Sequence, residues 1–184
     1  MVILRATRKL RALLPATDIV PVRSDAALGD WYVNRIVVNR QPLLLLVSSA
    51  SLLPVVVPAR GVRALPERLA TLVEARLRRC GMDERVIRAE TRSMAPVAVG
   101  PTVDRSVLGI MVDFAKAIPY YVETRHGCAM TLEAVEEQLA QTPCYATRRF
   151  DQVVFPDRKA PELLRAKWLP EADEGSPDEP TRKQ

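Results

Sequence analysis

The sequence predicts an α+β fold, a single mainly antiparallel sheet of about five strands with helices packed on it. Three observations lead there. Short runs rich in β-branched and aliphatic residues recur at Val2–Ala6, Trp31–Val38, Leu43–Val47, Leu52–Val57 and Met94–Val99. Asn39-Arg-Gln-Pro42 separates two of them as a hairpin turn. Pro66–Cys80 and Thr102–Ile118 instead repeat apolar residues at helical spacing. At 184 residues and 48% hydrophobic, the chain has enough apolar side chain to bury one domain's core with appendages.

Val2–Ala6 reads as the first strand, and Thr7 is placed to cap a turn of helix whose apolar side is Leu10, Leu13 and Leu14, ended by Pro15. Pro21, Asp25 and Gly29-Asp30 mark a loop. In Trp31–Val38, Val33 and Val37 share one face while Tyr32, Ile36 and Val38 share the other. Leu43–Val47 is apolar on both faces, the pattern of a central strand covered on both sides. Leu52–Val57 is its neighbour, with Pro54 and Pro58 favouring an edge or a strand end.

Pro66 opens a helix with the stripe Leu65, Leu69, Leu72, Val73, Leu77 and Cys80, stopped by Gly81. Arg76 falls inside that stripe. Two readings stand: a side chain that snorkels near the helix end, or a partly buried guanidinium paired with a carboxylate or reaching into a cleft. Asp83 then caps a shorter helix, with Met82 and Ile87 as its hydrophobic staple. Met94–Val99 is the last strand, closed by Gly100-Pro101. The helix that starts at Thr102 or Asp104 turns Val107, Met111, Phe114 and Ile118 to the core. Gly109 inside it costs up to about 1 kcal/mol relative to alanine, which the close approach of another backbone would explain. Pro119 is expected to kink or end the helix, because its ring clashes with the preceding turn.

From Arg125 the pattern changes to a short helix over Thr131–Ala140, an extended piece at Val153–Pro156 and a helical turn or two over Pro161–Trp168. The expected organisation is a main domain over 1–124, an extension over 125–169 that packs on it and shields a sheet edge, and an acidic tail over 170–184 too poor in apolar residues to fold.

Net charge is +5, unevenly spread: the tail carries −3 and the body +8, with arginine dominating the basic residues. A basic body attracts polyanions. The joint enrichment in Ala, Arg, Val, Leu and Pro is equally what a GC-rich genome yields, and composition does not separate the two. Leu43–Val57 is too short and too interrupted for a membrane span. The N-terminus lacks a signal-peptide pattern, so a cytoplasmic bacterial protein is expected. Cys80, Cys128 and Cys144 are scattered and odd in number, which points to neither a disulfide framework nor a zinc site.

Three pieces carry a family resemblance: Leu4-Arg-Ala-Thr-Arg-Lys-Leu10, Gly29-Asp-Trp-Tyr-Val-Asn34, and Asp104-Arg-Ser-Val-Leu-Gly109 with Asp113-Phe114. In this order and spacing they resemble an uncharacterised bacterial domain-of-unknown-function family, over about residues 1–124. The family's late helix has asparagine where this chain has Asp104, and a more polar run where it has Ile110-Met-Val112. These departures argue against a polar active-site role for that helix face. The resemblance implies no catalytic residue.

Phosphate-loop, dinucleotide, nucleophile-elbow and zinc-protease motifs are missing, and His126 alone excludes any mechanism that needs two imidazoles per chain. His126-Gly-Cys128 would supply at most half a metal site, so neither a metal nor a cofactor is expected. Glu133, Glu136 and Glu137 are expected on a solvated helix face.

Two candidate sites remain. Thr7-Arg8-Lys9 and Asp104-Arg105-Ser106 each open a helix, where unpaired N–H groups favour anions. Placed at one end of the sheet, they would form a phosphate or carboxylate pocket with Trp31 or Tyr32 as an apolar wall. The plainer reading has Asp104 capping its own helix and pairing with a local arginine, with Arg8 and Lys9 solvated. The second candidate is a basic face of Arg68, Arg78, Arg79, Arg85, Arg88 and Arg92, which would grip nucleic-acid phosphates with little sequence readout. Its plainer reading is a solvated arginine surface. The expected function is a non-enzymatic binding or accessory protein with a protein or nucleic-acid partner. The alternative is an enzyme that acts on a phosphorylated small molecule or nucleotide at the paired helix starts.

Overall fold

A computed structural model describes residues 1–17, 23–122, 130–145 and 153–170. The order is β1 (Val2–Ala6), α1 (Arg8–Arg11), β2 (Trp31–Val38), β3 (Gln41–Ser48), β4 (Pro54–Pro58), α2 (Leu65–Arg79), α3 (Glu84–Ser93), β5 (Val97–Pro101), α4 (Arg105–Val122), α5 (Leu132–Ala140) and α6 (Pro156–Trp168). The α+β class is as expected, but the sheet is mixed rather than mainly antiparallel. Its order is β4-β3-β2-β1-β5, and β1 runs parallel to both of its neighbours. Only β2-β3-β4 is an antiparallel meander. The reason lies in the connections. Residues 7–30 and 59–96 are long crossovers with helices, which parallel pairing requires, whereas the tight Asn39-Arg40 turn permits only antiparallel pairing. Both turn residues have positive φ, the geometry of a two-residue hairpin.

Side-chain alternation splits the core between the two sheet faces. On one face Val2, Leu4, Trp31, Val33, Leu44 and Leu46 pack against α2, α3 and α6 through Leu69, Val73, Ile87 and Leu164. On the other, Tyr32, Leu45 and Val47 meet Val107, Met111, Phe114 and Ile118 of α4 and Val135 and Leu139 of α5. The doubly covered reading of Leu43–Val47 therefore holds: all five residues are buried. Asp83 caps α3 by accepting from Arg85 N at 2.7 Å, and its staple partners Met82 and Ile87 are buried.

Arg76 takes the second of its two readings. It is 2% exposed, lies 3.6 Å from Glu136 Oε2, and donates to the Pro54 carbonyl at 3.3 Å and to Cys80 Sγ at 3.2 Å. Glu136 is accordingly not on a solvated face. It is buried, ion-paired with Arg79 as well, and its Oε1 accepts from Val56 N at 2.7 Å on the outer edge of β4. Two arginines and one open edge N–H thus draw this single carboxylate of α5 inward, while Glu133 and Glu137 remain exposed.

One expectation about α4 changes. Gly109 is exposed, and a Cβ built there would meet nothing within 4 Å, so among the described residues no backbone approaches it. Of the outcomes open at Pro119, the helix does not end there: it takes the further turn and continues to Val122. His126 and Cys128, and the acidic tail beyond Pro170, lie outside the described residues. Among the described residues, no helix is long and apolar enough to cross a membrane.

Gly29 leaves no room for a side chain. Its φ is +71°, and an added Cβ would sit 2.5 Å from Ser49 Oγ, the same atom that receives Asp30 N at 2.9 Å. Gly29→Ala is expected to lower the melting temperature by roughly 5 °C or more, from left-handed strain plus the displaced serine. A thermal melt followed by circular dichroism checks this.

Candidate binding site at the carboxyl end of the central strand

Ala6 of β1 stands beside Val33 of β2 and Pro101 of β5 in parallel register. The chain therefore leaves β1 and β5 at the same end of the sheet. The two paths diverge: α1 places Leu10 in one core and α4 places Val107 in the other. Adjacent parallel strands whose connections part to opposite faces leave a crevice outside their carboxyl ends, the usual ligand position in open α/β sheets.

The segments that carry the family resemblance meet here. Arg5 and Tyr32 are register partners and share the α4 face. Arg5 Nε donates to Asp30 Oδ2 at 2.8 Å and its guanidinium reaches the Pro101 carbonyl at 3.4 Å. The Tyr32 hydroxyl accepts from Asp104 N at 3.0 Å, and Thr7 Oγ1 lies 3.2 Å from Asn34 Oδ1. Burial pushes the Tyr32 hydroxyl up, against the pull of the Asp104 and Val103 backbone and of Arg5, so it stays a neutral phenol. Asp30 Oδ1 is buried with no hydrogen-bond partner among the described residues, which leaves Arg5 as the main support of that carboxylate. This cluster fixes the strand ends with respect to one another.

Of the residues nominated for anion binding, the structure brings three together. Thr7, Arg8 and Lys9 line a cleft of about 450 Å³ with Leu10, Leu13, Asn34, Arg35 and Val37. Trp31 is no wall of it, being fully buried in the core. Asp104 caps α4, its Oδ1 accepting from Ser106 N at 2.8 Å and Val107 N at 3.4 Å, and Arg105 is exposed on the far side of the strand ends. Thr7 makes no capping bond, and α1 is only four residues long, so the cleft owes little to a helix dipole. Its positive character comes from side chains. Asn34 and Arg35 were not nominated from sequence. The available signal was Arg35 interrupting the Val33/Val37 face of β2.

Half of the arginines on the basic face of α2 and α3 are paired with carboxylates of the chain. Arg78 lies 2.6 Å from Glu74 and 2.8 Å from Glu84, Arg79 pairs with Glu136, and Arg88 approaches Glu84 at 4.0 Å. Arg68 donates to the Arg60 carbonyl at 3.2 Å. Arg85 and Arg92 are exposed.

Thiol chemistry finds no activated group among the described residues. Burial pushes Cys80 up despite Arg76 and Arg79, and pushes Cys144 to about 11. Nor do the described residues hold a cluster of three potential metal ligands. Glu90 is fully buried and is spent on structure, accepting from Ala27 N, Leu28 N and Trp168 Nε1 at 2.8, 2.9 and 2.8 Å.

Two outcomes follow for this region. Arg5→Leu is expected to cost about 3 kcal/mol of unfolding free energy, since it strands Asp30, and Arg5→Leu with Asp30→Leu to recover part of that; urea denaturation measures both. Cys144 is expected to resist iodoacetamide at pH 8 in the folded protein and to react once urea unfolds it, as read by mass spectrometry.

No curated protein and no solved structure matches the chain. The segments that converge on β1 have their counterpart in a family match that runs through residue 159, across the strands and into α6. Over residues 3–159 the chain matches the family described as a domain of unknown function, DUF6933, and it belongs to that family.

Proposed function

We propose that the protein is a non-enzymatic binding module that takes an acidic, partly apolar segment of a partner protein into the cleft between α1 and the carboxyl half of β2. The observation that carries this reading is the make-up of the cleft: Arg8, Lys9 and Arg35 stand around Leu10, Leu13 and Val37, and no carboxylate lines it. None of these three cations makes an ion pair among the described residues, in contrast to Arg78 and Arg79. Cations crowded without counter-charge repel one another and are relieved by an incoming anion. Leu13 and Val37, 49% and 63% exposed, add apolar shoulders that a bare phosphate would leave wet.

Capture rather than turnover fits the lining, which offers no carboxylate, imidazole or thiol as a general base. A nucleic-acid partner is less well served, because half of the arginines of the α2–α3 face are engaged by Glu74, Glu84 and Glu136. The cleft lining also has no aromatic ring for a base to stack on.

Fluorescence anisotropy with a labelled peptide of interspersed Glu and Leu tests the reading. Binding is expected to weaken with added salt and to fall roughly tenfold in Arg35→Glu, with Arg92→Glu unchanged. Tighter binding of a single-stranded oligonucleotide, or an Arg35→Glu variant that binds as the parent does, overturns it.

A further inference from the structure

We infer that α4 is a self-association surface, on which a second copy of this chain packs its own α4 antiparallel across Gly109. The starting point is a helical glycine that packs against none of the described residues. Gly109 sits in the first half of an 18-residue helix, where glycine is unfavourable relative to alanine, yet it is exposed and has no neighbour within 4 Å of a built Cβ. Close approach of a backbone is what such a position permits, and among the described residues nothing approaches.

The surroundings of Gly109 define the occupant. Arg105, Gly109 and Asp113 follow one another at i, i+4 and i+8 and form one stripe, with Val112 beside it. All four are exposed, Val112 at 51%. Arg105 and Asp113 lie equally far from Gly109 in opposite directions, about 6 Å each along the axis. A two-fold axis through Gly109 therefore sets Arg105 against the partner's Asp113 and Asp113 against the partner's Arg105. Charge of opposite sign placed symmetrically about a small central residue is complementary to its own copy. The competing bond within the helix is weak: Asp113 and Lys116 are 4.0 Å apart and both about three-quarters exposed. Lys116 lies about two turns beyond the crossing at Gly109.

The surface lies on α4, outside the cleft lined by Thr7–Val37, and stands or falls independently of the binding function. A single helix crossing buries an area at the low end of specific interfaces, so the dimer is expected to dissociate on dilution.

Sedimentation velocity on the full chain over a hundredfold concentration range tests it. The expected result is a monomer–dimer equilibrium that Arg105→Asp and Asp113→Arg each weaken at least tenfold and that the two together restore. Gly109→Ala is expected to weaken association while leaving the melting temperature of the dilute monomer equal or higher, which separates loss of the contact from loss of the fold. A monomer at every concentration, single charge reversals without effect, or a double reversal that fails to restore the dimer overturns the inference.

Discussion

Parallel pairing on both sides of β1 obliges the chain to leave and re-enter the sheet through long crossovers, and the rest of the architecture follows from where those crossovers run. The connections through α1 and through α2 and α3 occupy one face. The other face is left to the chain after β5, so α4 and α5 cover it. With β2 on one side and β5 on the other, all five residues of β1 are buried, Arg5 among them. A guanidinium held there needs a carboxylate, and Asp30 supplies it from the loop that enters β2. The ion pair thereby sets where β2 begins, where Tyr32 stands, and how α4 starts. Segments far apart in sequence are bound to each other through this one strand.

Buried carboxylates perform the same service elsewhere. Glu136 is fastened to Arg76, Arg79 and the edge of β4, and burial pushes its carboxyl up against the pull of Val56 N, Arg79 and Arg76. Glu90 draws in two backbone N–H groups and an indole without a cation among its described partners. Each fastens a helix to a body whose apolar contacts alone would leave its register loose, since hydrophobic burial is non-directional and hydrogen bonds are not.

Periodicity revealed what depends on neighbours in sequence. The first four strands, the hairpin at Asn39, the apolar stripes of α2 and α4 and the cap at Asp83 are local patterns that stand. The last strand lies instead at Val97–Pro101, because Met94 ends α3 and Gly100-Pro101 belong to the strand rather than closing it. Strand direction depends on which strands meet, and short β-rich runs look alike in either sense; the long connections around β1 were the only clue. Arg76 was legible as an anomaly because it broke a stripe, whereas Glu136 and Glu90 broke nothing visible, lying among polar residues on short helices. The candidate site was half legible. Arg8 and Lys9 drew notice as cations after a strand, but the cleft forms because Arg35 and Val37 extend past the part of β2 that the helices cover, a fact of tertiary packing.

The Glu90 fastening has a spectroscopic side. The chain has two tryptophans, and they sit in opposite circumstances. Trp31 is sealed in the core, while Trp168 is the last residue of α6, partly open to solvent and bonded through its indole N–H to Glu90. Lifting α6 from the body would quench or red-shift Trp168 first, because Trp31 shares its core with α2 and α3 as well as α6. The molecule therefore contains its own optical gauge of whether its last described helix is seated.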